Sequence, residues 1–330
     1  MDPLRLTREL IDIESITGNE ANVGSYLHDY LARLGYRTEK MPVEGTRFNV
    51  FATLDGKPDL VFSTHMDTVP PFIPSSEDNQ NIYGRGSCDA KGIIAAQIGA
   101  AERLRGKTSG IGLLFLVGEE RDSQGAKEAN NRAPGSRFLI NGEPTENRIG
   151  RASKGTLRVK LTAQGKMAHS AYPHLGESAI EKLVEALHRL LKMPMPNNPE
   201  IGPTTFNIGL IEGGRAPNVI PDFARAELLY RLVGETAELR RNIQSTVDGL
   251  AKPEFALEIP YVKLRTVDGI PEMIAAFTTD IPALTNWGEP VLLGPGSIHV
   301  AHTDGEFIPK RELNEAVDLY VKVADKLLAC

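Results

Sequence analysis

Cysteine is nearly absent from this chain: Cys88 and Cys330 are the only two in 330 residues. Two such residues provide neither a disulfide framework nor a thiolate zinc site. No apolar run approaches the roughly 20 residues that a membrane-spanning helix needs. The start, Met1-Asp-Pro-Leu-Arg-Leu-Thr-Arg-Glu9, lacks the apolar core of a secretory leader. The expectation from these absences is a cytoplasmic protein with no membrane partner. Positive charge is also in short supply. With 37 Lys and Arg against 43 Asp and Glu, the formal charge is −6, which argues against nucleic acid or an anionic membrane as the main partner. What is present, 41% hydrophobic and 24% charged residues, matches an ordinary globular protein of one large domain or two medium ones.

The stretch Leu60-Val-Phe-Ser-Thr-His65-Met-Asp67 reads as a buried strand ending in two polar residues. The two-residue pleat puts His65 and Asp67 on one face, at the strand end where α/β sheets bind ligands. Before it, Asp2-Pro3 caps a first helix, and Val23, Leu27, Leu31 and Leu34 mark a second that ends at Gly35. Phe48 to Leu54 is a strand, with Asp55-Gly-Lys-Pro58 as the turn. Residues 70–88 are loop-like and close in Tyr83-Gly-Arg-Gly-Ser-Cys-Asp89-Ala-Lys-Gly92, followed by a helix from Ile93 to Leu104. Ile111 to Val117 is a continuous apolar run, as in a central parallel strand, and ends in Gly118-Glu119-Glu120. Phe138 to Ile140 ends in Asn141-Gly-Glu143-Pro. Four times an apolar run or a helix start adjoins His, Asp or Glu.

From residue 153 to 264 the order is strand, helix, strand, strand, helix, strand, the split-βαβ pattern of a ferredoxin-like α+β module. After 265 the α/β style returns, with a weak helix from Glu272 to Phe277, a strand from Val291 to Leu293 and a last helix from Asn314 to Leu328. The expected fold is therefore α/β: a domain of residues 1–152 and 265–330 with a mixed, mainly parallel sheet, interrupted by the module at 153–264.

His65, Asp67, Asp89, Glu119, Glu120, Glu143 and His302 together form an imidazole and carboxylate donor set that suits Zn²⁺, Mn²⁺ or Co²⁺. Three carboxylates and two imidazoles can hold two divalent ions, which lower the pKa of bound water to about 7 and polarise a carbonyl. Glu119 and Glu120 would point to opposite sides of an extended backbone, so one can bind metal while the other takes a proton. Taken singly, Asp89 is as well read as a helix N-cap, and Glu119-Glu120 as a solvated pair. His299 competes with His302, and Cys88, with no paired base, is a small buried residue.

His65-Met-Asp67, Gly84-Arg-Gly-Ser-Cys-Asp89, Glu119-Glu120, Gly142-Glu143-Pro-Thr145 and Ala301-His302-Thr-Asp-Gly-Glu306, in that order, resemble the motifs of the co-catalytic zinc amidohydrolase and exopeptidase family. That family includes acetylornithine deacetylase, succinyl-diaminopimelate desuccinylase, aminoacylase and glutamate carboxypeptidase. The resemblance implies two zinc ions (cobalt or manganese being alternatives), one held by His65, Asp89 and Glu143 and the other by Asp89, Glu120 and His302. It implies that Asp67 steadies the ring of His65 and that Glu119 is the general base. His169, in the inserted module, resembles an oxyanion-stabilising histidine that reaches a partner subunit. Asn218, Arg231, Gly294 and Gly296 match positions that bind a substrate carboxylate. The module itself would be a lid and a homodimer interface. The activity implied is cleavage of the amide of a small N-acyl amino acid, with an exopeptidase or dipeptidase as the alternative. A two-metal phosphoesterase and a non-catalytic scaffold are more distant rivals. The segment between the module and Gly294 is short against the family, which leaves the substrate open.

Overall fold

A computed structural model of the protein describes residues 1–54, 56–107 and 110–329; Asp55 of the expected turn and Cys330 lie outside them. The chain divides into two compact units. One comprises Met1–Arg151, Lys263–Ala275 and Thr279–Cys330, the other Ala152–Val262 and Ala276–Thr278. Among the described residues no helix is long and apolar enough to cross a membrane.

The apolar runs become the middle of the first unit's sheet. Strands Leu60–His65 and Ile111–Leu116 are buried along their whole length and pair in parallel, with His65 opposite Leu116. Phe138–Asn141 runs parallel on the other side of Leu60–His65, and Glu289–Leu292 continues the sheet in parallel beyond it. Arg47–Thr53 pairs antiparallel with Ile111–Leu116, so the sheet is mixed but mainly parallel at its centre. Such strands need cover on both faces. Phe62, Phe115 and Ile140 share one core with the helices Pro3–Ile11, Ala21–Arg33, Lys91–Leu104 and Lys310–Leu328. Val61, Leu114 and Leu139 pack on the opposite face against Trp287 and the helix Gln124–Asn130.

Several features differ from the sequence reading, among them the helix Gln124–Asn130 and the strand Ile149–Ser153, which it did not include. Arg37–Glu44 is an additional edge strand, antiparallel to Arg47–Thr53. Only Met41 of its eight residues is buried, so it lacks the apolar pattern that would have announced it. Glu272–Ala275 is a strand and not the expected helix; it pairs with Ile149–Ser153. An apolar segment this short has no periodicity to separate the two states, and sheet pairing decides it. Within the loop at 70–88, Asn81–Tyr83 forms a short strand against Phe307–Pro309.

The second unit holds the split-βαβ order. Its sheet runs Thr205–Gly213, Phe223–Leu232, Gly155–Gln164, Lys252–Ile259, all neighbours antiparallel. The helices Ala179–Lys192 and Thr236–Thr246 bury Leu183, Leu187, Leu239 and Ile243 against Val159, Leu228 and Tyr230 of the sheet. This is the ferredoxin-like topology that the sequence indicates.

Candidate metal centre

The centre is built at the carboxyl ends of the parallel strands in the first unit. His65, the last residue of its strand, is 1% exposed. Its Nε2 lies 2.9 Å from Asp89 Oδ1. Its Nδ1 lies 3.0 Å from the main-chain carbonyl of Asp67, closer than the Asp67 carboxylate at 3.5 Å. Ring orientation therefore comes first from the backbone of Asp67. The Asp67 side chain has further partners: it accepts from the Thr17 hydroxyl at 2.8 Å and from the N–H groups of Glu119 and Glu120 at 3.1 and 3.2 Å. Residues 119 and 120 thus lie in a turn whose two amides Asp67 holds, and not on the extended backbone expected.

Asp89 stands at the junction. Its Oδ2 is 3.3 Å from His302 Nε2, and the same nitrogen is 3.0 Å from the Glu120 carboxylate. His302 reaches this position from a left-handed backbone, with φ 64°. Ligand atoms of His65, Asp89 and Glu120 lie within 4.8 Å of one another. Glu143, after the strand Phe138–Asn141, is 4% exposed and its Oε1 has no hydrogen-bond partner among the described residues. Among the described residues His299 makes no hydrogen bond to this cluster; its N–H donates to the Ser297 hydroxyl at 3.4 Å.

The electrostatics follow from crowding four carboxylates around two imidazoles. Burial pushes the carboxyls of Glu119 and Glu143 well above the usual range, and neighbouring acids add to it: Glu143 for Glu119, Asp89 for Glu143. Burial opposes ionisation of Asp89, yet hydrogen bonds from His302 and His65 hold it below the ordinary carboxylate range. Hydrogen bonds to Asp89 and Glu120 push His302 up to about 10. Burial alone would lower His65, but Asp67 and Asp89 outweigh it and raise its pKa well above the ordinary value. Excess negative charge, an orphaned buried carboxylate oxygen and a nitrogen and oxygen donor set all fit divalent cations, which would stand in place of the imidazole protons.

The remaining residues singled out from sequence fall elsewhere. Gly294 and Gly296 belong to the first unit, but their N–H groups are already engaged, by Thr145 Oγ1 and Glu312 Oε1, each at 2.9 Å. They are therefore not available to a substrate carboxylate as expected. Glycine is needed at 294 for packing: a Cβ there would sit 2.4 Å from the carbonyl oxygen of Glu143. His169, Asn218 and Arg231 belong to the second unit. His169 is exposed on a two-residue strand opposite Val219, and the carbonyl of Asn218 accepts the Ser170 N–H at 3.0 Å. Arg231 is partly buried, and its Nη1 donates to Thr156 and Thr278 at 3.0 and 3.3 Å. Among the described residues no carboxylate pairs with it.

Sequence reasoning missed Asp280, a carboxyl 1% exposed with neither oxygen hydrogen-bonded among the described residues. Burial pushes it up to about 7, and its charge raises Glu119 and Glu143 in turn. No apolar periodicity or motif marks Thr278-Thr-Asp280 in the sequence.

Residues 151–254 match a family model described as the peptidase dimerisation domain. Along nearly its whole length the chain is similar to a peptidase M20 domain-containing protein of Schizosaccharomyces pombe. The two are 38% identical over 335 residues, 97% of this chain and 83% of that protein. A probable carboxypeptidase of Aspergillus flavus is 37% identical over 377 residues, 98% of this chain and 87% of the relative. The fold is similar to that of aminopeptidase PepT from Bacillus cereus, with a TM-score of 0.83, 24% identity and coverage of 99% of this chain and 98% of that one.

Proposed function

The chain belongs to the M20 peptidase family of metal-dependent hydrolases, and from that premise we propose that it cleaves the amide of a small N-acyl amino acid. The observation that carries this reading is the convergence of His65, Asp89, Glu120 and His302 beside Glu119 and Glu143. Asp89 would bridge two divalent ions, zinc by preference, with His65 and Glu143 on one and Glu120 and His302 on the other. When bound, such ions polarise a carbonyl and acidify water. Glu119, whose carboxyl burial raises well above the usual range, takes the proton of the attacking water and later delivers one to the departing amine. On the second unit, His169 would donate to the oxyanion, and Arg231, a guanidinium with no carboxylate partner among the described residues, would bind the substrate carboxylate with Asn218.

The relatives named as carboxypeptidase and aminopeptidase favour a second reading, an exopeptidase on the same site. The two are chemically close. A carboxypeptidase is an N-acyl amino acid hydrolase whose acyl group is a peptide: in both, the broken amide lies one carbon from a free carboxylate. Assaying N-acetyl-ornithine, N-succinyl-diaminopimelate, dipeptides and tripeptides on metal-free protein loaded with Zn²⁺, Co²⁺ or Mn²⁺ separates them. Turnover of an acylated amino acid at least tenfold above any peptide is expected. A preference for peptides would move the assignment to exopeptidase, and no turnover of either class would sink both.

A homodimer through the second unit is supported by its unpaired apolar surface. Leu210 and Ile211 on the outer strand of the sheet are 57% and 60% exposed, and Val184 and Leu191 on the helix Ala179–Lys192 are 59% and 63% exposed.

A further inference from the structure

Four residues beyond His302, Glu306 lies wholly buried with its carboxylate turned into another loop. Its Oε1 accepts three main-chain N–H groups, from Gly86 at 3.0 Å and from Cys88 and Asp89 at 3.1 Å each. Its Oε2 accepts from Arg85 Nη1 at 2.8 Å, and its carbonyl accepts the Gly84 N–H at 3.1 Å. Arg85, 2% exposed, reaches back from the same nitrogen to the carbonyl of Thr303 at 3.0 Å. Inward-turned N–H groups of this kind make an anion-binding concavity. Here the protein fills it with its own carboxylate. Gly84 and Gly86 have φ of 131° and 88°, backbone conformations that an L side chain resists.

We propose that Glu306 is a positioning residue that sets the two ligand loops of the metal centre, 84–89 and 302–306, against each other. The inference rests on the reading that Asp89 and His302 hold metal. One carboxylate touches the amide of Asp89 itself, and its own backbone continues directly from His302. The separation between Asp89 and His302, 3.3 Å between their facing atoms, is thereby fixed before any ion arrives. The pairing of Phe307–Pro309 with Asn81–Tyr83 brings the ends of the two loops together, and beyond that pair it is the Glu306 side chain that reaches the Asp89 amide. Outer partners of metal ligands alter metal affinity or activity by roughly 10–100-fold when removed, and a residue that holds the main chain of the bridging ligand falls in that class.

The test is metal titration by calorimetry, with the cobalt absorption spectrum of the loaded protein, on wild type and Glu306→Gln. Glutamine keeps the shape and one acceptor oxygen but presents an amide to Arg85. The wild type is expected to take two equivalents; if it does not, the metal reading fails, whatever the variant does. Glu306→Gln is expected to bind metal roughly 10–100-fold more weakly, with an altered cobalt spectrum and unchanged far-ultraviolet circular dichroism. A folded variant with wild-type affinity for both equivalents and an identical spectrum overturns the proposal. Wild-type protein alone gives a second measurement, which stands even where the variant does not fold. In the metal-free protein, hydrogen exchange over residues 84–89 is expected to be slow. Exchange there at the rate of an open loop, recovered only on adding Zn²⁺, also overturns it.

Discussion

Glu119 and Glu120 differ in what surrounds them more than in what they are. Glu120 meets His302 at 3.0 Å, whereas among the described residues the Glu119 carboxyl is hydrogen-bonded to no imidazole and is raised by burial and by Glu143. Removing the Glu119 proton acceptor should leave the ligand set intact. Glu119→Gln is therefore expected to retain two equivalents of metal by elemental analysis while kcat falls about 10²–10⁴-fold, the usual worth of a general base. Loss of one equivalent would make Glu119 a ligand and exchange the two roles. Asp280 invites a different measurement. Its carboxyl is raised from 3.8 to about 7 by burial, so the folded state holds a proton that the unfolded state has released. Its contribution to stability is fully present below the unfolded value and is lost as pH rises through about 7. In metal-free protein, the advantage of Asp280→Asn over wild type should grow by on the order of 2 kcal/mol between pH 5 and pH 8. Denaturant unfolding at the two pH values reads this directly, and a constant difference would contradict it.

Among the elements, legibility followed burial. Leu60–His65 and Ile111–Leu116 could be read because every residue is buried and the chain spells each as one apolar run. Arg37–Glu44 could not, since an edge strand with one buried residue, a proline and a bulge after it has the composition of a loop. Four of the five proposed ligands could be read as a set because each sits close to a strand end or helix start; His302 lies in a loop and was legible only through the motif Ala301-His302-Thr-Asp-Gly-Glu306. Asp280 and the partners of Glu306 could not, since those partners lie 217 to 221 residues away in sequence. The glycines at 294 and 296 were recognised as special, but the close packing they permit is against protein and leaves no free donor. The outer strand Thr205–Gly213 carries its own prediction. An exposed apolar edge is a pairing surface unless charge blunts it, so Ile211→Lys should convert a dimer into a monomer by light scattering at micromolar concentration. A wild type that is already monomeric would refute the dimer, and a variant that stays dimeric would place the interface elsewhere.

At the scale of the whole molecule, the proposed metal ligands and the proposed base fall within one of the two units. His65, Asp89, Glu119, Glu120, Glu143 and His302 all belong to the unit formed by Met1–Arg151, Lys263–Ala275 and Thr279–Cys330. The other unit, Ala152–Val262 with Ala276–Thr278, has a core of its own in Val159, Leu183, Leu228 and Tyr230. A ligand stabilises what it binds in the folded state, by about 4 kcal/mol at a thousandfold excess over its Kd. Two ions held only by the first unit should therefore raise the stability of that unit and leave the second nearly where it was. Calorimetry of metal-free protein is expected to show a low transition that moves upward with added Zn²⁺ and a second that does not. Hydrogen exchange assigns them: protection should rise in Leu60–His65, Ile111–Leu116 and Phe138–Asn141, with Gly155–Gln164 and Phe223–Leu232 unchanged. Equal stabilisation of both sets of strands would mean that the two cores unfold as one cooperative body, and metal binding could then no longer be assigned to one unit on energetic grounds.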